Sequence, residues 1–359
     1  MSVTVRSFAK INVGLRIGAA RADGFHELLT VYQTIGLHDA LRVSVGLGTG
    51  IEIRCADPRV PKDESNTCYR IVEKAMRALR ARGRVLIEIE KRLPVQGGLG
   101  GASSNAVAAL LGLERALKKS LPAAERLRIV ADVGSDLPLF LVGGTVLGVG
   151  RGELVYPLED LPATACVVVT PEVGVSTPRA FAEWDRRMSP QGLKPAPSRE
   201  AHAAVKGRSS TVAPGGREAA PGTTNEAGKL TLPIASDRMV GLGRELSAWL
   251  SEGYSGAPRS PRGRAENPLL ALVRAGIAND FEQVVFPEYP ELSEAKCALE
   301  RTGAEYASLS GSGSTLYGLF ASRAGAEKAA RSLRKQGWAA QATSSLTRRA
   351  YWKRLWGKA

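Results

Sequence analysis

A strand-like segment, Val85–Ile89, runs into Pro94-Val-Gln-Gly-Gly-Leu-Gly-Gly-Ala-Ser-Ser104, and a helical stretch follows directly, to about Leu117. Glycines let successive backbone N–H groups converge, and a helix starting just behind them adds its unpaired donors and the positive end of its dipole. Such a loop suits an oligophosphate. It is not a Walker A sequence, because no Lys-Ser or Lys-Thr pair closes it. Nor does it follow a first strand, as the Gly-x-Gly-x-x-Gly of a dinucleotide fold does. Ser103 and Ser104 stand where a phosphate or a magnesium ion would be met, and equally where a serine caps a helix for about 0.5–2 kcal/mol. Taken alone, the loop leaves a phosphate cradle and an ordinary turn both open.

The rest of the chain narrows the setting. Its 359 residues suggest two domains, and 44% hydrophobic with 23% charged residues excludes bulk disorder. The longest nearly apolar run, Leu137–Gly150, is Gly-broken and shorter than the roughly 20 residues of a membrane span. No basic cluster followed by an apolar block precedes Lys10, which argues against a secretory leader. Cys55, Cys68, Cys166 and Cys297 lack Cys-x-x-Cys spacing and read as reduced, buried thiols of a cytoplasmic protein, and three histidines argue against a His-rich metal centre. The net charge of +14 raises nucleic acid as a partner, but it is unevenly placed. Residues 190–265 hold 11 Lys/Arg against 6 Asp/Glu and residues 323–359 hold 10 against 1, so the remainder is neutral.

Strands are expected over Val3–Ile17, Leu41–Val45, Ile51–Cys55, Val85–Ile89, Cys166–Thr170, Tyr306–Ser310, Leu316–Phe320 and Ala339–Ser344, with a turn at Arg21–Gly24. Helical spacing covers Asn66 to Arg82 with Gly83 as its stop, then Ala123–Val133, Pro290–Thr302 and Ala324–Gln336. Residues 190–240 are dominated by Pro, Gly, Ser and Ala without apolar periodicity, so about 190–265 is expected to be a flexible insertion. No repeat of solenoid length is visible.

Three further pieces could carry chemistry, each with a bland counterpart. Ser308-Leu-Ser-Gly-Ser-Gly-Ser-Thr315 lies between two strands and is also what a hairpin turn looks like. Lys10, in Ala9-Lys-Ile-Asn12, could be a snorkelling strand lysine. Asp136, in Gly134-Ser-Asp-Leu-Pro138, could be a turn residue.

Together and in this order, the pieces resemble the GHMP kinase superfamily. Its pattern is an N-terminal lysine strand, a Pro-x-x-x-Gly-Leu-Gly-x-Ser-Ser phosphate loop and a late Gly-Ser-Gly loop. Arg21-Ala-Asp-Gly-Phe-His26, Lys91-Arg-Leu-Pro94 and Asn279-Asp-Phe-Glu282 are similar to the branch that phosphorylates 4-(cytidine 5′-diphospho)-2-C-methyl-D-erythritol on the non-mevalonate isoprenoid route. The likeness spans roughly residues 5–187 and 266–345. It implies a two-domain α+β GHMP kinase fold. A ribosomal protein S5 domain 2-like unit would occupy 1–160, and a ferredoxin-like unit 161–345, followed by a basic tail at 346–359.

The resemblance implies an alcohol phosphotransferase with ATP and Mg2+ as co-substrate, acting on a small molecule, without nucleic acid or stable membrane association, as monomer or homodimer. Lys10 and Asp136 match the catalytic pair, with Asp136 as base. Pro94, Val95, Gln96, Gly97, Gly98, Leu99, Gly100, Gly101, Ala102, Ser103 and Ser104 match the ATP loop, with Ser103 as a possible magnesium contact. Asn66 matches a position near adenine. Asn12, Phe25, His26 and Phe181 match the substrate site, with Phe25 (where the family usually has Tyr) and Phe181 sandwiching the cytosine and His26 hydrogen-bonding it. Stacking tolerates Phe for Tyr.

Three departures, Ala102, Ser135 and Ser314, are all small. A kinase of homoserine or mevalonate type is the rival enzyme, and the Asp-Gly-Phe-His turn speaks against it. A basic RNA-binding protein is the rival of another class, and the placement of the charge speaks against that. The tail Arg348–Trp356 either packs its tryptophans on its own domain or docks on a membrane surface, an acidic partner or RNA.

Overall fold

The computed structural model describes residues 2–95, 97–188 and 278–357. The insertion expected at about 190–265 and the loop residue Gln96 lie outside them.

Two long antiparallel strands, β1 (Ser2–Ala20) and β2 (His26–Gly46), form the backbone of the first unit. The β-branched run of β1 favours extended backbone. Register shifts between Phe8 and Lys10, and between Asn12 and Gly14, bend it where the candidate lysine sits. The separate strand expected at Leu41–Val45 is the far end of β2, which pairs with β1, β4 (Arg84–Glu90) and β5 (Thr145–Val149). β3 (Ile51–Cys55) and β6 (Leu154–Pro157) form the sheet edges.

Helices α1 (Thr67–Ala78), α2 (Gly101–Leu117) and α3 (Ala123–Val133) cover this sheet. Asn66 caps α1 by accepting from Cys68 N at 2.8 Å. α1 ends at Ala78, four residues short of the expected Arg82. Arg80 there adopts a left-handed φ of 46°, with Ala81 N bonded to Met76 O, so the stop lies before Gly83. The apolar run after Asp136 divides into the single turn α4 (Leu139–Val142) and β5.

The chain crosses to a second sheet between Pro157 and Ala165. That sheet has the order β10-β7-β9-β8, from β7 (Ala165–Val169), β8 (Tyr306–Leu309), β9 (Leu316–Phe320) and β10 (Ala340–Ser344), all antiparallel. With α5 (Thr177–Met188), α6 (Glu282–Glu288) and α7 (Pro290–Arg301) before β8, and α8 (Arg323–Lys335) before β10, it has the strand order of a ferredoxin-like unit. A third core joins the sheets: Ala9, Ile11 and Val13 of β1 meet Val168, Tyr317 and Leu319. Because strand side chains alternate, the even-numbered Lys10 and Asn12 face away from that core.

One expectation is corrected. Cys297 is exposed, while the other three thiols are buried, and burial pushes those of Cys68 and Cys166 up to about 12. Of the two readings of the segment beyond 346, the structure has the packed one: α9 (Arg348–Leu355) buries Tyr351 and Leu355 in the core of the first unit, with Trp352 and Trp356 packed against it.

Candidate active site

The glycine loop ends in α2, whose cap is Gly100 in left-handed conformation, with no side-chain hydrogen bond. The first-turn amides of this 17-residue helix are therefore left to whatever occupies the space before them. Ser103 and Ser104, candidates for capping, do not cap. Ser103 lines a cavity of about 360 Å³ together with Asn66, Pro61, Lys91, Pro94, Val95 and the run from Gly97 to Ala102. Ser104 departs from the expected phosphate contact. Its hydroxyl is buried, donates to Phe8 O at 2.7 Å and lies 2.5 Å from Ser7 Oγ, so it ties α2 to β1. Asn66 lines the cavity, but its side chain already serves the α1 cap and donates to Pro61 O at 2.6 Å.

Sequence patterning missed the residue that organises this cavity from behind. Asp39 of β2, 0% exposed, accepts from Lys91 Nζ, Arg92 N and Leu93 N at 2.7 Å and from Asn105 Nδ2 at 2.9 Å. One carboxylate thus fixes the strand end leading into the loop, the lysine on the cavity wall and the first turns of α2. Removing one partner of a buried pair strands the other charge, at about 3–5 kcal/mol. Asp39→Ala is accordingly expected to lower stability by that order in urea unfolding. A loss under about 1 kcal/mol would show that Lys91 finds water instead.

A second cavity, about 350 Å³, shares Gly98 and Gly100 with the first and contains Lys10, Asn12, Tyr32, Asp136, Phe25, His26 and Phe181. Lys10 is 3% exposed. Its Nζ donates to Asn12 Oδ1 at 2.6 Å and lies 3.4 Å from Asp136 Oδ2, while its backbone N–H donates to Leu99 O at 3.0 Å. Asn12 is held in turn, Nδ2 donating to Thr30 Oγ1 at 2.8 Å. The Asp136 carboxylate, in the turn between α3 and α4, accepts from Tyr32 OH at 3.1 Å. Burial first, and then the Asp136 charge, hold the Tyr32 phenol well above its ordinary range, so it remains a neutral donor. Tyr32 carries no local signal: in β2 it reads as one more core aromatic.

The aromatic group differs from the expected sandwich. His26 stacks on Phe181, with centroids 4.8 Å apart and planes 13° from parallel, and Phe281 meets Phe181 edge-on at 4.9 Å. His26 Nε2 is 2.7 Å from Asp185 Oδ1. Phe181 and Asp185 are four apart on α5 and therefore share a face, which lets one turn of helix grip the imidazole from ring and carboxylate together. Phe25 is 50% exposed, with the Arg151 guanidinium 4.9 Å over its ring. Arg151, in the β5–β6 turn, adds a cation to the cavity wall that sequence reading did not single out.

The late Gly-Ser loop is a hairpin, as its sequence allowed, and also a wall of the site. Ser310 Oγ donates to Gly98 O at 3.0 Å and Thr315 N to Gly97 O at 3.1 Å. Ser312 Oγ is 2.7 Å from Thr177 Oγ1. Asn279 Nδ2 donates to Leu309 O at 2.9 Å and Gly311 O at 2.7 Å, fixing the loop over Lys10 and Asn12. Adjacent Asp280 anchors it to β1, accepting from Arg16 at 2.9 Å and Ile17 N at 3.0 Å. A cavity walled by backbone amides thus adjoins one holding a paired lysine and carboxylate. That arrangement suits transfer of a phosphoryl group to an alcohol, which needs alignment and charge neutralisation.

Comparison with known proteins agrees. Family models described as the GHMP kinases N terminal domain and the GHMP kinases C terminal match residues 66–144 and 266–338. The chain belongs to the GHMP kinases. The 4-diphosphocytidyl-2-C-methyl-D-erythritol kinase of Solibacter usitatus is 34% identical over 319 residues, 89% of this chain and 81% of that protein. Its counterpart in Acaryochloris marina is 32% identical over 325 residues, 90% of this chain and 89% of the relative. A crystal structure of 4-(cytidine 5′-diphospho)-2C-methyl-D-erythritol kinase superposes with a TM-score of 0.64 at 26% identity, covering 95% of this chain and 98% of that one. A homoserine kinase from Cytophaga hutchinsonii, at 18% identity and a TM-score of 0.61, shares the fold. Among the GHMP kinases, the chain is a member of the 4-diphosphocytidyl-2-C-methyl-D-erythritol kinase family.

Proposed function

We propose that the chain transfers the γ-phosphoryl group of ATP to the 2-hydroxyl of 4-(cytidine 5′-diphospho)-2-C-methyl-D-erythritol, releasing ADP. The observation that carries this is the shared wall. Gly98 and Gly100 line both cavities, so phosphates seated against the first-turn amides of α2 would lie beside Lys10 and Asp136. Asp136 takes the hydroxyl proton, Lys10 neutralises charge on the transferring group, and Asn12 holds the lysine. Phe25, His26 and Phe181 supply the aromatic surface for a base, and Arg151 a cation for a diphosphate.

The residues fit a magnesium ion brought in with ATP. Mg2+ takes one or two protein oxygens and otherwise phosphates and water, and the Ser103 hydroxyl and Asp136 carboxylate line the adjoining cavities. When bound, the ion would neutralise phosphate charge, with Ser103 as its holder.

Coupled ADP release with the cytidine substrate, homoserine and mevalonate tests the proposal, and turnover confined to either of the last two would overturn it. Phe181→Ala is expected to weaken the cytidine substrate by about 5- to 150-fold, the equivalent of the 1–3 kcal/mol of one base–ring stack. ATP affinity should hardly change. Equal weakening of both, with a lowered thermal midpoint, would mean that Phe181 serves only to pack Phe281 and His26.

A further inference from the structure

The C-terminal helix α9 lies behind both catalytic segments. α4 is a single turn of four residues, so its carbonyls have few helical partners. Gly143 N takes Leu139 O at 2.8 Å. The next partners come from consecutive residues of α9: Tyr351 OH donates to Phe140 O at 2.7 Å, and Trp352 Nε1 donates to Val142 O at 3.0 Å. At its other end α4 is continuous with the Asp136 turn, Phe140 N bonding Leu137 O at 3.0 Å and Leu141 N bonding Pro138 O at 3.1 Å.

The same tyrosine reaches the lysine strand. Its ring packs on Phe8, two residues before Lys10, with centroids 5.6 Å apart. A Cβ on Gly143 would collide with that ring. The Phe140 ring extends toward the nucleotide loop, where a Cβ on Gly100 would lie 3.0 Å from its Cζ. α9 is itself pinned: Arg348 N donates to the Asp160 carboxylate at 2.8 Å, its guanidinium reaches Thr145 O at 3.0 Å, and Trp356 bridges to Val5.

We propose that α9 is a clamp that sets the Asp136 carboxylate against Lys10, with Tyr351 and Trp352 as positioning residues. The inference rests on the reading of Asp136 as proton acceptor. A phenylalanine would fill the volume of Tyr351 without a buried hydroxyl to satisfy, so packing alone does not call for the O–H. What the hydroxyl and the indole N–H add is direction: each fixes one carbonyl of a turn too short to hold itself.

The test is the full-length double variant Tyr351→Phe, Trp352→Phe, which leaves an aromatic ring at each position and removes both donors. Misplacement by about 1 Å can cost up to about 10²-fold, and kcat is expected to fall about tenfold or more. The ATP dissociation constant should stay near that of the parent, and amide exchange at Phe140, Leu141 and Gly143 should accelerate. Turnover is scaled to the folded fraction measured at the assay temperature, and Tyr351→Phe alone serves if the double variant does not fold. A scaled kcat near the parent value overturns the clamp, and so does a fall matched by an equal loss of ATP affinity. Asp136→Asn run in parallel separates the two readings. An active Asp136→Asn sinks the proton-acceptor assignment, whereas an inert one beside fully active clamp variants sinks the clamp alone.

Discussion

Asp136→Asn is expected to lower kcat by about 10²–10⁴-fold, the usual contribution of a positioned general base, while ATP binds as before. The substitution keeps the shape of the side chain and one oxygen to accept the Tyr32 hydroxyl. It replaces the other with an amide that takes no proton and faces the Lys10 ammonium, which now lies 3.4 Å from Asp136 Oδ2. The cavity proposed for the nucleotide does not include Asp136, so ATP affinity from a direct titration should be unchanged. Turnover within a few-fold of the parent would remove Asp136 from the chemistry. The pH profile adds a second reading. Because burial and the Asp136 charge hold the Tyr32 phenol well above its ordinary range, it donates to Asp136 throughout the neutral and mildly alkaline range. Any loss of turnover below that pH belongs to another group.

Much of this site was legible because its parts are local. Lys10 and Asn12 share a strand face by alternation, and Gly100 to Ser104 announce a helix start that any sequence reader would place. In the second unit, β8, β9, α8 and β10 fall within a residue or two of where the apolar periodicity marks them, whereas their ferredoxin-like arrangement was implied only by the family resemblance. What stayed hidden depends on register between distant segments. Asp39 is an ordinary strand aspartate until the residues just past β4 and α2 deliver four donors to it. Tyr32 becomes a donor to Asp136 only because β2 passes beneath a turn 104 residues later. The charge and tryptophans of Arg348–Trp356 left an external partner open beside packing on their own domain, because the groups that receive them belong to α4 and β1. His26 gives no hint in sequence that it lies flat on Phe181, since that contact needs α5 to return across the start of β2.

A further meeting of distant segments, Gly98 with Ser310, carries the other large effect. Gly98 has a φ of +79°, a region that L side chains enter at a cost of about 1–2 kcal/mol. A Cβ there would collide with Ser310 O and stand 3.1 Å from Gly313 Cα, both backbone atoms that cannot rotate away. Gly98→Ala must therefore push apart the two loops that Ser310 Oγ and Thr315 N now hold together. Since Gly98 lines both cavities, affinity for ATP and for the acceptor should fall together. A displacement near 1 Å at reacting groups corresponds to a loss of about 10²-fold in kcat/KM. Gly46→Ala is the matched control, at a glycine with nothing within 4 Å and no positive φ, and it should leave kinetics and thermal midpoint near those of the parent. If Gly98→Ala behaved like Gly46→Ala, the two loops would be free to separate without consequence. The shared wall between nucleotide and acceptor would then not be what aligns them.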